Sequence, residues 1–258
     1  AVVEDPFAPA DFDLTPYVKQ GDNLILLELH ESNTPELQKG FTPTPVKPFT
    51  NSYLFAQEKR SIRDFNVALI PDSTRKFGVL DLEVIVQNGY NYEEPITVGF
   101  DIYAPNSKLL DFSVNDITVP GRSLDTVRFS PYIYHTYENS WGAKGAAPLY
   151  RVMLYTKRKG VFKEYIPLKV GFGKTEMKDG KIIRFDKPVT IVSERYNAAA
   201  DAAATRKELL ALKKKGINTI WPNAPQPYSF YNLCDELGLF VIDQANINAP
   251  EKRDDRTT

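Results

Sequence analysis

Gly173-Lys174-Thr175 reads like the end of a phosphate-cradling loop, in which backbone amides and a lysine grip phosphate oxygens. The glycine that such a loop needs five positions earlier is Leu168, and the flanking residues alternate like a strand. The triplet therefore reads as a strand-end turn. His30 and His135 are the chain's two histidines, and no Gly-x-Ser-x-Gly elbow accompanies either to supply a nucleophile. Two histidines and one cysteine cannot assemble a His/Cys zinc cluster. Cys234, alone, rules out an internal disulfide and reads as a small buried apolar residue. Lys213 to Lys215 suit the negative end of a helix and read as solvated; a nucleic-acid surface would need a wider basic stripe. Trp221 closes a short apolar run, where an indole either stacks on a sugar ring or packs in the interior.

Composition narrows the class. Of 258 residues, 42% are hydrophobic and 25% charged, the balance of a soluble globular protein. Lys and Arg total 32 against 33 Asp and Glu, so the net charge of −1 gives no general attraction to nucleic acid or anionic membrane. No apolar run reaches the ~18 residues of a membrane span. Ala1 to Ala10 lack a basic-then-apolar leader pattern, so a signal peptide is either absent or removed. The 14 Tyr and 15 Phe suit strand faces, and also stack on sugars.

The elements that must hold these residues change character near Pro188. Asn23 to His30 and Asn51 to Gln57 read as strands, with a proline-rich connector between them. From Ser61 the alternation becomes regular: Leu80, Leu82, Val84 and Val86, then Ile96, Val98, Phe100 and Ile102. Leu124–Ser130, Leu149–Tyr155 and Phe162–Val170 continue it, with turns at Pro71-Asp72, Asn88-Gly89, Pro105-Asn106 and Pro120-Gly121. This predicts an antiparallel sandwich of immunoglobulin type without its disulfide. Beyond Pro188, Val189–Val192, Ile217–Trp221 and Leu239–Asp243 read as parallel strands. Helices over Asp201–Lys215, with Thr205 and Glu208 as a capping box, and from Pro227 to Leu237 separate them. Gly216 and Gly238 end the two helices.

Phe230 to Asn248 reads FYNLCDELGLFVIDQANIN. It closely resembles the second strand region of the catalytic barrel in glycoside hydrolase family 2, the family of bacterial β-galactosidases and β-glucuronidases, which writes FYELCDEYGLYVIDEANIE there. Other stretches follow in the family's order. Phe12–Glu28 resembles the closing strands of the sugar-binding jelly roll, and Tyr53–Val67 the passage into the immunoglobulin-like domain. Trp141 with Pro148-Leu149-Tyr150 resembles the family's Trp…Pro-x-Leu-Tyr segment, and Val170–Lys174, Gly180 and Lys187-Pro188 the entry into the barrel. The resemblance implies a mostly β chain: the end of a jelly roll over 1–57, an immunoglobulin-like β-sandwich over 58–172, and an incomplete (β/α)8 barrel start over 173–258.

It also implies carbohydrate chemistry on O-glycosidic bonds, β-galactosidase-like, in a hydrolase that uses no nicotinamide, nucleotide or flavin cofactor. The departures matter equally. Ser193–Ala200 stands where the family carries a histidine-bearing segment, Trp221-Pro222-Asn223-Ala224 replaces Arg-Thr-Ser-His, Gln244 replaces Glu, and Asn248-Ala249-Pro250 replaces the usual Glu-Ser-His-Gly ending. The acid/base glutamate that the family places in an Asn-Glu pair has no counterpart, since the chain has no Asn-Glu pair. A closed barrel takes ~250 residues, far more than follow Pro188. The chain is therefore expected to hold no catalytic residue and to be inactive alone. The substrate-binding candidates are Trp221, Asn223, Gln244 and Asn246, at or after C-terminal strand ends where barrels build sites. Asp243 and Glu236 are expected to hold loops and helix surfaces. Two expectations compete: a segment of a larger glycosidase, or a non-catalytic sandwich that binds carbohydrate or a protein partner; a structural spacer is a third. The partners implied are an oligosaccharide or glycoconjugate, with homo-oligomeric or interdomain contacts, in a bacterial periplasmic or secreted setting or, as the alternative, the cytoplasm.

Overall fold

The computed structural model describes residues 12–28, 53–142, 145, 147–197, 201–223 and 226–243. Eight strands form the sandwich: β1 (Arg60–Pro71), β2 (Gly78–Asn88), β3 (Glu94–Tyr103), β4 (Leu109–Val119), β5 (Ser123–Phe129), β6 (Tyr132–Ile133), β7 (Tyr150–Arg158) and β8 (Val161–Val170). One sheet runs β1-β2-β5 with β6 against β2, and the other β4-β3-β7-β8. All these pairings are antiparallel. This is the immunoglobulin-like arrangement that the alternation predicts. Leu80, Leu82, Val84 and Val86 point inward from β2 and meet Ile96, Val98, Phe100 and Ile102 from β3 in one core. Phe100 and Phe129 make an edge-on ring contact across it, centroids 5.1 Å apart.

Polar side chains fix the turns. Asp72 accepts from Thr74 N, Lys76 N and Phe77 N at 2.8–2.9 Å, closing the β1–β2 turn. Asn88, fully buried, donates to Tyr92 O and Val119 O, both at 2.9 Å, and so ties the end of β2 to the end of β4 in the other sheet.

Strand β4 has no counterpart in the sequence reading. Its Ile117 packs on the core while Phe112 and Val114 face outward, so apolar residues on both faces blur the period of two. The two predicted jelly-roll strands also differ. Asn23–His30 and Asn51–Gln57 form no strand over their described residues, and Leu24 and Leu26 are exposed. Alternation alone does not make a strand; it needs a neighbour to take its backbone hydrogen bonds, and none pairs there among the described residues.

A small antiparallel meander follows the sandwich: β9 (Thr175–Lys178), β10 (Lys181–Arg184) and β11 (Lys187–Pro188). Then comes a strand–helix–strand–helix–strand unit: β12 (Ser193–Tyr196), α1 (Ala202–Lys214), β13 (Thr219–Pro222), α2 (Tyr228–Leu237) and β14 (Phe240–Val241). Its strands are parallel in the order β12-β13-β14. Leu209, Ile220, Phe230, Cys234, Leu237 and Leu239 make its core.

Three local expectations are corrected. The first parallel strand is Ser193–Tyr196 and not Val189–Val192, because the Asn218 side chain takes the place of a strand there. Its Oδ1 accepts from Val192 N at 2.9 Å and its Nδ2 donates to Thr190 O at 2.7 Å. The cap of α1 is Asp201, which accepts from Ala204 N at 2.9 Å; Thr205 lies inside the helix and is buried. Lys213 is not a solvated helix end: its ammonium donates to Leu237 O and to Gly145 O. Gly238 ends α2 in the left-handed conformation at φ 69°, as expected.

Candidate functional site

Because β12, β13 and β14 are parallel, their C-terminal ends gather on one side. Arg195 lies in register with Trp221 on the neighbouring strand, and its guanidinium sits 4.6 Å from the indole centroid. One face of Trp221 is thus covered by a cation. Tyr196 donates to Glu208 of α1 at 2.7 Å, and Tyr231 of α2 to the Asp243 carboxylate at 3.0 Å. Gln226 N in turn donates to the Tyr231 hydroxyl at 3.0 Å. Asn223 follows β13, and its Oδ1 is buried with no hydrogen-bond partner among the described residues.

Of the four sequence candidates, Trp221 lies in β13 and Asn223 directly follows it; Gln244 and Asn246 lie outside the described residues. Arg195, Tyr196 and Tyr231 were missed. The signal for Arg195 is its register with Trp221, hidden because the first strand is expected at Val189–Val192 and Ser193–Ala200 after it. Glu208 of α1 and Asp243 after β14 each accept a hydrogen bond from a tyrosine hydroxyl, which ties this end of the parallel strands to the helices. Among the described residues no cluster of His, Cys, Asp and Glu could hold a metal ion.

What positions this surface is a joint around Trp141. The indole Nε1–H donates to Asp235 O at the end of α2 at 2.7 Å, and the ring packs edge-on against Phe240 of β14 at 5.3 Å. Trp141 N donates to Phe172 O at the end of the sandwich, at 3.0 Å. Arg184 of the meander donates from Nε to Trp141 O at 3.0 Å and from Nη2 to Phe172 O at 3.2 Å, with its guanidinium 5.0 Å from the indole centroid. Burial lowers the guanidinium's proton affinity below its ordinary value.

The two glycines of Val170–Lys174 make room for this joint. A Cβ at Gly171 would come 2.7 Å from the Trp141 ring, and one at Gly173 would strike the Arg184 guanidinium. Gly173 also has φ +144°, which side-chain-bearing residues rarely adopt. A second tie lies nearby: Glu236 of α2 accepts from Lys169 of β8 at 2.7 Å and from Arg206 of α1 at 3.0 Å. Hydrogen bonds from these two cations lower the Glu236 pKa. The C-terminal unit meets the sandwich at this joint.

No protein-family profile matches the chain. Among curated proteins it is 27% identical to a β-galactosidase of Streptococcus thermophilus, over 95% of this chain and 24% of that protein. It is 25% identical to a β-galactosidase of Halalkalibacterium halodurans, again over 95% of this chain and 24% of the relative. Among solved structures, a glycosyl hydrolase family 2 member from Bacteroides cellulosilyticus superposes with a TM-score of 0.66 at 16% identity, covering 73% of this chain and 27% of that one. A Bacteroides uniformis β-glucuronidase gives a TM-score of 0.60 at 16% identity, over 71% and 23% of the two chains. The structural likeness speaks for the fold, and the curated relatives are named β-galactosidases. The chain is glycoside hydrolase family 2-like, β-galactosidase-like in sequence. It spans about a quarter of the length of the curated relatives it matches.

Proposed function

We propose that this chain is the joint of a β-galactosidase-like glycosidase: the immunoglobulin-like sandwich and the first turns of the catalytic barrel, with the reacting carboxylates supplied elsewhere in the whole protein. The observation that carries this reading is the Trp141 contact set, which locks the sandwich, the meander and α2 into one arrangement. Retaining glycosidases need two carboxyl groups ~5–5.5 Å apart, and a joint that holds the first barrel strands still serves to keep such a pair in place. The substrate of the whole protein is a galactoside or related glycoconjugate. On this reading Trp221 and Asn223, at the C-terminal end of β13, contact the sugar, and Arg195 stacked on Trp221 biases the site towards a substrate bearing an acceptor-rich group.

The test compares the gene product as encoded with the 258-residue chain on nitrophenyl β-galactoside. Turnover by the former and background for the latter supports the reading. Turnover by the 258-residue chain that is lost on mutating one of its own carboxylates overturns it.

A further inference from the structure

The outer face of the β4-β3-β7-β8 sheet carries an apolar and aromatic surface that the reading above does not use. The register places Thr97 beside Asp116 on one side and Lys157 on the other, with Phe162 beyond Lys157. The next row along the strands is Val114, Gly99, Tyr155 and Tyr165, and the one after is Phe112, Asp101, Met153 and Pro167. Phe112 is 64% exposed, Val114 51%, Tyr165 55% and Phe162 42%. Phe162 and Tyr165 stack at 4.7 Å between centroids, and Lys157 lies 4.3 Å from the Phe162 centroid. These rings are ordered by one another, so the face is preformed. Contiguous exposed apolar surface of this kind marks an interaction site.

Its charges are divided. Asp116 and Asp101 lie on the β4–β3 half; Lys157 and Arg151 lie on β7. None of the four has an ion pair among the described residues. We propose that this face is the contact between two copies of the chain, related by a two-fold axis that runs parallel to the strands. Such an axis sets β4 against the partner copy's β8 and β3 against its β7, so each acidic half meets a basic half. Lys157 of one copy then comes over Thr97 and beside Asp116 of the other, while Arg151 comes over Tyr103 and beside Asp101. The aromatic rows close between them. At Gly99 the Tyr155 ring of the same copy already lies over the backbone, so the sheet is closed there without a partner side chain. An axis across the strands would instead set like charges together, which selects the first arrangement.

The area sets the strength. Four strands at about 4.8 Å spacing and about seven residues at about 3.4 Å give a face of roughly 450 Å². A standard stable interface buries about 800 Å² per partner. The dimer is therefore weak and forms in the micromolar-to-millimolar range.

Sedimentation equilibrium on the 258-residue chain over that range tests it. The expected result is a monomer–dimer equilibrium that weakens with salt. Asp116→Lys and Lys157→Glu should each weaken it by about tenfold, and the double variant should restore it, because the swapped charges again face each other across the axis. Tyr165→Asp should abolish it. Circular dichroism shows whether each variant keeps the strand signal of the parent. A monomer at every concentration overturns the proposal. So does association that these variants leave unchanged, which would assign it to the open edges of β12 and β14. Failure of the double variant to recover affinity also overturns it.

Discussion

Replacing Trp141 by Phe isolates the joint. The substitution keeps a ring next to Phe240 and Gly171 but removes the Nε1–H that donates to Asp235 O at 2.7 Å. Asp235 O keeps the longer bond from Gly238 N at 3.2 Å, so the loss is that of one net hydrogen bond, about 0.5–1.5 kcal/mol. That loss falls on the C-terminal unit, whose core holds six buried residues and is too small to be robust alone. The parent chain should unfold in urea as one transition, with far-UV circular dichroism and tryptophan fluorescence coincident. In Trp141→Phe the remaining tryptophan is Trp221, since the chain has two, and its emission then reports the C-terminal unit alone. The Trp221 transition should move to lower urea and separate from the circular dichroism transition, which the sandwich dominates. Coincident transitions at the parent's midpoint would refute the view that Trp141 couples the two units.

Further outcomes follow from other contacts. Gly173→Ala should cost about 1–3 kcal/mol in thermal or urea unfolding, because it places a Cβ at φ +144° against Arg184. Burial raises the Asp72 carboxyl, but hydrogen bonds from Thr74, Phe77 and Lys76 outweigh it and bring its pKa down from 3.8 to about 2. Its folded-state pKa being depressed, the stability it gives is full above its unfolded value and is lost as pH falls from about 4 to about 2. Asp72→Asn should flatten the melting temperature over that window. Burial, and next to it Asp235, pushes the Cys234 thiol up to about 12, so Ellman's reagent at pH about 8 should label it only when the C-terminal unit opens. Labelling of native protein at the rate of a free thiol would contradict the packing of α2.

The sandwich was legible where one face is buried. Strands β2 and β3 alternate cleanly because every inward residue enters one core. Strand β4 was not legible, because Phe112 and Val114 give its outer face the same chemistry as its inner one. The helices were legible in extent, through Pro227, Gly216 and Gly238, but the cap of α1 was misplaced by four residues because Thr205 and Glu208 imitate a capping box inside the helix. The family resemblance makes Trp221 and Asn223 candidates, and they fall at the end of β13. It also misleads: matching Ser193–Ala200 to a histidine-bearing segment after the first barrel strand hides a strand and the Arg195–Trp221 contact. Trp141, Gly171 and Gly173 were visible as motif residues, but their roles were not. Those depend on Arg184 and Asp235, which the chain brings to Trp141 from far along the sequence.

Covalent trapping addresses the central claim most directly, that this chain holds the joint of a β-galactosidase-like enzyme and not its reacting carboxylates. A 2-deoxy-2-fluoro-galactoside with a good leaving group captures the nucleophile of a retaining glycosidase as a stable glycosyl ester. Intact mass spectrometry after incubation should show the 258-residue chain unchanged, while the gene product as encoded gains one fluorosugar on a carboxylate outside this sequence. A fluorosugar found on an Asp or Glu within the chain would contradict the account.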